Sequence, residues 1–279
     1  MTITSEELIQ GLDDLPSLPA VVMELLSSID QEDIDISVLA KKVATDQALT
    51  AKTLRLANSS AFGLQVKATT IGQAMTNLGF QSTRNLIMAA ARTGCFPSGR
   101  CPSFDDKAFW RLSIATAACA RVLARHMRFN QDVAFTAGLL HGIGRLVLVT
   151  RYPEQYDTVL RERKRLDGNL LDTERALLGI DHILAGAALA EHWQFSGTMQ
   201  QAIAFYHAPE TPGAGFLATI VHVSNAVAHA LDLSGDVDEL VPAVSSVAWT
   251  ALGLSEEVWL HVFRETELQC EEMTAILMA

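Results

Sequence analysis

Apolar side chains recur at helical spacing from one end of this chain to the other, and sustained period-2 alternation of Val, Ile and Thr is absent. That pattern predicts helices packed on helices. SLPAVVMELLSSI (17–29) opens on a serine cap with a proline in its first turn. ISVLAKKVATD (36–46) puts Val38, Leu39, Val43 and Ala44 on one face. QALTAKTLRLANSSAFG (47–63) runs to Gly63, and TTIGQAMTNLGF (69–80) and QSTRNLIMAAARTG (81–94) meet at Gly79. CFPSGRCPSF (95–104) holds two prolines and a glycine, so it reads as the connection between two subdomains.

Helices are then expected over 105–127, 131–152, 153–166, 170–178, 182–194, 197–207, 217–233, 237–252 and 255–278, with a break at HAPETPGAGF (207–216). The 131–152 stretch is apolar all round, which predicts one central, buried helix. Hydrophobic residues make up 49% of the 279 but aromatics only 6%, so Ala, Leu, Val and Ile must build the core. That length permits one large domain or two packed subdomains.

The formal net charge is −11, and RERKR (161–165) is the only basic cluster. Nucleic acids are held mainly through neutralised phosphates, so an acidic chain is a poor general binder of them, and 161–165 reads as a solvated helix face. No basic-then-apolar leader opens the sequence and no uninterrupted apolar run reaches about 18 residues. A cytoplasmic protein without membrane contacts is the expectation. The cysteines (Cys95, Cys101, Cys119, Cys270) form no C-x-x-C pair and read as free thiols, with a Cys95–Cys101 redox pair as the lesser alternative.

One stretch resists a purely structural reading. GLLHGIGRLVL (138–148) carries a histidine inside an apolar run with three glycines. A buried imidazole must find a partner, and each glycine inside a helix costs about 1 kcal/mol relative to alanine.

Two blocks of sequence carry a resemblance. The first is LPSLPAVVMELLSSI, VLAKKVATDQALTAKTLRLANSSAFG and TTIGQAMTNLGFQSTRNLIM. The second is FWRLSIATAA, AGLLHGIGRLVL, DHILAGAALAEHWQF and QQAIAFYHAP. In order and spacing, over about residues 12 to 270, the chain resembles the HDOD family, the HD-related output domains of bacterial signalling proteins. The resemblance implies an all-α fold, with an N-terminal helical bundle (1–98) packed on a C-terminal HD-like helical bundle (99–279). It also implies a bacterial regulatory protein.

HD phosphohydrolases hold divalent metals with histidines and carboxylates, because hard ions prefer oxygen donors and activate a bound water. Carried over by motif, the first family histidine falls at Leu112. His141 keeps its histidine, but the aspartate position beside it is Gly142. His182 and His207 match later histidines, Tyr206 stands where another often appears, and the closing aspartate is Asn225. Three histidines remain and no carboxylate. Asp181 and Glu191 belong to other helical faces. Gly144 and Arg145 match a glycine and a basic residue of the pattern, with Gly144 read as serving close helix approach. Asn58, Ser59 and Arg84 also match; the first two read as a helix end, and Arg84 as a tie between the bundles. Trp110 and Trp193 read as core. His222 and His229, seven apart, share a helix face without matching any ligand.

These features lead to the expectation of a non-catalytic signalling protein with a degenerate metal site and no cofactor. The resemblance implies sensor kinases, response regulators or cyclic-dinucleotide enzymes as partners and leaves a homo-oligomer open. Two alternatives remain. One is a phosphohydrolase acting on a nucleotide or cyclic dinucleotide, whose metal would fall to His141, His182 and His207. The other is a small-ligand sensor using the relic cavity.

Overall fold

A computed structural model describes residues 2–12, 43, 47–58, 67–79, 82–83 and 100–278. The regular structure of the described residues is all helical, with no strand among them. The predicted helices 17–29, 36–46 and 81–94 fall almost wholly outside the described residues, as do Ser59, Arg84 and Cys95. The helices are α1 (Ser5–Leu12), α2 (Gln47–Ala57), α3 (Ile71–Leu78), α4 (Asp106–His126), α5 (Gln131–Leu140), α6 (Ile143–Arg151), α7 (Pro153–Leu166), α8 (Leu170–Leu178), α9 (His182–His192), α10 (Gly197–Phe205), α11 (Gly215–Ala230), α12 (Ser246–Leu252) and α13 (Glu256–Leu277).

The bundle forms around α4, which packs against α5, α11 and α13. Asp105 caps it by accepting a hydrogen bond from the Ala108 N–H at 2.9 Å. Small side chains along α4, including Ala115, Ala117, Ala118 and Ala120, are fully buried and let its neighbours come close. A Cβ on Gly138 of α5 would lie only 2.7 Å from the Ala117 Cα. The same device recurs where α6 crosses α9. A Cβ on Gly144 would sit 1.8 Å from the His182 carbonyl oxygen and 2.5 Å from the Gly186 nitrogen. Gly144 therefore serves close helix approach, as its place in the sequence pattern suggests.

Two helix expectations are corrected. The apolar 131–152 stretch is not one helix: α5 stops at Leu140 and α6 begins at Ile143. The His141 ring takes the Gly138 carbonyl at 2.7 Å, so a side chain enters the hydrogen-bond ladder at the break. This stretch is the one region, among the described residues, long and apolar enough to cross a membrane, and most of it is buried within the protein. The 237–252 helix also shortens. Residues 231–245 are non-helical, and only Ser246–Leu252 winds up, capped by Ser245. Pro242, which has no N–H to donate, and Gly235 at φ 68° oppose an earlier start.

Residues at the very start belong with the C-terminal bundle in space. The Ile3 N–H donates to the Leu178 carbonyl at 2.6 Å, α1 packs on α9, and Ile3, Leu8 and Leu12 join the main core. Among the first-bundle residues described, α2 packs on α3 and on α13. The Asn58 amide clamps Ala68, donating to its carbonyl at 2.8 Å and accepting from its N–H at 2.7 Å. Asn58 thus follows the end of α2, as read, and also fastens the next segment. Trp193 is buried in the core, and Trp110 is half-buried against Phe109. Cys101, Cys119 and Cys270 are free and buried.

Candidate functional site

The break between α5 and α6 turns His141 towards α11. Its Nδ1 faces the Gly138 carbonyl, which can only accept, so Nδ1 carries the hydrogen. Nε2 is then the acceptor, and the Asn225 Nδ2 donates to it at 3.0 Å. Asn225 is fixed as a donor by this chain of necessity. Burial pushes the His141 pKa down to about 3, so the ring is neutral.

His182 opens α9, whose cap is Asp181: its Oδ1 accepts from the Leu184 N–H at 2.8 Å, while Oδ2 meets the Arg175 guanidinium at 2.6 Å. The carboxylate that reaches His182 is Glu174, which the sequence reading missed. It is fully buried on α8. Its Oε2 accepts from the His182 backbone N–H at 2.9 Å and from Nδ1 at 2.6 Å, and its Oε1 accepts from the Tyr156 hydroxyl at 2.8 Å. A signal for it existed. Leu170, Glu174 and Leu178 are spaced by four, so a carboxylate sits on an apolar helix stripe.

The far side of His182 meets His207. The two Nε2 atoms lie 3.4 Å apart, within hydrogen-bond reach. Burial, reinforced by His182 and His141, pushes the His207 pKa down to about 2. Tyr206 joins the halves, with its ring edge-on to His141 at 5.0 Å and 4.4 Å from the His207 ring. Arg145 closes the network above Phe104 and Phe109, at 5.4 and 5.6 Å from their centroids. Burial opposes its charge, yet Tyr156 and Glu174 beside it hold its pKa above the ordinary value.

The tertiary fold thus gathers His141, His182, His207, Tyr206 and Asn225 into one cluster. Leu112 is not among them. It packs with Ala115, Ala228 and Cys270, one turn along α11 from Asn225. At Gly142 the ring of Phe109 packs close to where a side chain would begin, its Cε2 lying 3.2 Å from a Cβ built there. Glu191 is exposed at the end of α9.

These residues do not fit a divalent-metal pair. The Nε2 atoms of His141 and His182 face Asn225 and His207, and Glu174, which reaches His182, does so at Nδ1, on the ring edge away from His207. Among the described residues, no group of three or more His, Cys, Asp or Glu side chains is placed to hold a metal. What the arrangement can do is stabilise two helix junctions through a buried, hydrogen-bonded network of imidazoles.

His222 and His229 have other work. His222 donates from Nδ1 to the Tyr206 carbonyl at 2.8 Å and accepts from the Ser245 N–H at 2.9 Å. His229 pairs with Glu239 at 2.6 Å. The RERKR face is solvated and locally paired: Arg161 with Asp157, Arg165 with Glu162 and Lys164 with Asp238.

A helical bundle with a histidine cluster where α5 breaks into α6 is the architecture of HD-like domains. The HDOD domain model matches residues 15–209, and the chain belongs to the HDOD family. A solved structure of a candidate phosphohydrolase from Shewanella amazonensis is similar at 28% identity and TM-score 0.75, covering 97% of both chains. That likeness extends past the family match to the helices carrying Asn225. An uncharacterised protein of Treponema pallidum is 29% identical over 70% of this chain and 38% of its own length. The cyclic di-GMP phosphodiesterase CdgJ of Vibrio cholerae is 28% identical over 55% of this chain and 37% of its own length. The chain therefore spans less than two fifths of each of these curated relatives.

Proposed function

We propose that this HDOD protein is a non-catalytic signal transducer of the cytoplasm, acting through contacts with other proteins. The observation that supports this most is Gly142: the aspartate position carries no side chain, and the Phe109 ring packs 3.2 Å from where a Cβ would begin. The engagement of His141 by Asn225 supports it further. Sensor kinases, response regulators and cyclic-dinucleotide enzymes are the partner classes the family suggests. A second reading, hydrolysis of a cyclic dinucleotide, draws on the likeness to CdgJ. It is the weaker one, because three imidazoles leave hard divalent ions without oxygen donors.

The test is elemental analysis of the purified protein and of His141→Ala, with hydrolysis of cyclic di-GMP and of a chromogenic phosphodiester followed in parallel. Sub-stoichiometric metal in both proteins and no turnover are expected. Stoichiometric metal that disappears in His141→Ala, together with turnover, would overturn the proposal.

A further inference from the structure

Residues 240–255, LVPAVSSVAWTALGLS, carry no charged side chain in a chain that is 19% charged. At the average frequency, about three charges would be expected there. Such a stretch belongs in a core, yet this one lies largely at the surface. Leu240, Val241, Val244, Val247 and Trp249 are all exposed, Val241 at 57% and Val247 at 63%. Trp249 stacks on Trp259 with centroids 4.0 Å apart, and the next residue, Leu260, is 62% exposed. Isolated surface apolar residues need no explanation, but a continuous run of them does.

The surface is held in place. The non-helical segment 231–245 is fastened at its end by Ser245 on His222, and further back by Glu239 on His229 and by Asp238 on Lys164 at 2.6 Å. Three anchors from two helices are more than a floppy connection needs. They preorganise the surface, which lowers the entropy cost of binding.

Its surroundings select the partner. Between Leu231 and Phe263 there is no Lys or Arg, whereas Asp232, Asp236, Asp238, Glu239, Glu256 and Glu257 flank the apolar run; neighbouring helices bring Lys164 to Asp238 and Arg111 to Gly235, both ahead of residue 240. Asp238 and Glu239 are paired internally, and Glu256 and Glu257 stand exposed in the first turn of α13. An anionic lipid surface would be repelled by this rim. A second copy would bring like charges together, in a chain already at −11.

We propose that 240–255 with Leu260 is a docking surface for a polypeptide presenting apolar side chains inside a rim of Lys and Arg. The proposal rests on the reading that this protein works through protein contacts, and it names the surface and the chemistry of the partner.

The experiment uses the full chain and a labelled synthetic amphipathic helix with a leucine face rimmed by lysine and arginine. A twin peptide rimmed by glutamate is the control. Saturable binding of the basic peptide is expected, weakening as salt is raised. Val247→Lys, at an exposed position, should weaken it about tenfold by placing like charges in contact, with the circular dichroism spectrum unchanged. Glu256→Gln with Glu257→Gln should flatten the salt dependence.

No binding, equal binding of both peptides, or binding indifferent to Val247→Lys would overturn the proposal. So would self-association that Val247→Lys abolishes, or saturable adhesion of the parent protein to phosphatidylglycerol vesicles, because the occupant would then be a second copy or a membrane. None of these results touches metal content or hydrolysis, so a failure here is distinct from failure of the non-catalytic reading.

Discussion

Substituting alanine at Gly144 should be far more damaging than at Gly142, although the two lie two residues apart beside the same histidine. At Gly144 the new Cβ would meet the His182 carbonyl oxygen at 1.8 Å and the Gly186 nitrogen at 2.5 Å. An ordinary carbon–oxygen contact is about 3.3 Å, so α6 and α9 must part by roughly 1.5 Å. The obstacles are backbone atoms that no rotamer change can move aside. Overpacking costs about 1–3 kcal/mol in general, and this site belongs at the upper end. Alanine returns about 1 kcal/mol of helix propensity, leaving a net loss of roughly 2 kcal/mol. For a chain of this size that loss lowers Tm by about 4–8 °C. At Gly142 the new Cβ meets only the Phe109 ring at 3.2 Å, which can yield, so the change should stay within about 1 kcal/mol. Thermal and urea unfolding followed at 222 nm read both variants. A Gly144→Ala protein as stable as the parent, or less affected than Gly142→Ala, would refute the close-approach argument.

Three further outcomes are expected. Glu174→Ala strands the Tyr156 hydroxyl and two N–H groups of His182 in the core and should cost about 3–5 kcal/mol in urea unfolding, with Glu174→Gln milder; equal effects of the two would contradict the acceptor role. Acidification should destabilise the fold through His141. Its folded pKa is held near 3 while the unfolded chain protonates near the ordinary value of 6.5, so the unfolded state binds the extra proton. Full stability is therefore kept above about pH 6.5 and lost as pH falls towards 3, by about 2 kcal/mol at pH 5; a flat urea midpoint from pH 7.5 to 5 would rule this out. Asn225→Asp replaces the donor facing Nε2 with a carboxylate, so the His141 pKa should rise by at least about one unit in an NMR titration, and no rise would mean the pair is not in contact in solution.

The sequence by itself determined a great deal here. Helical periodicity placed most of the helices from 105 onward to within a few residues, the 131–152 and 237–252 stretches apart, because that signal is local and renews itself every turn. The apolar run around His141 announced a buried imidazole in need of a partner, and Gly144 announced a close crossing. The identity of that partner was another matter. Asn225 lies 84 residues from His141, and only the motif pattern, not the spacing, relates the two. Glu174 showed as a carboxylate on an apolar stripe, but nothing local says that it points at His182 rather than into solvent. The break at His141–Gly142 and the late start of α12 were likewise settled by side chains competing for backbone groups. Most of all, Gly142 is mute in sequence: it reads as a lost ligand, and only the packing of α4 reveals that the Phe109 ring lies against it. Periodicity is written along the chain, whereas the satisfaction of a buried polar group depends on which helix the fold brings alongside.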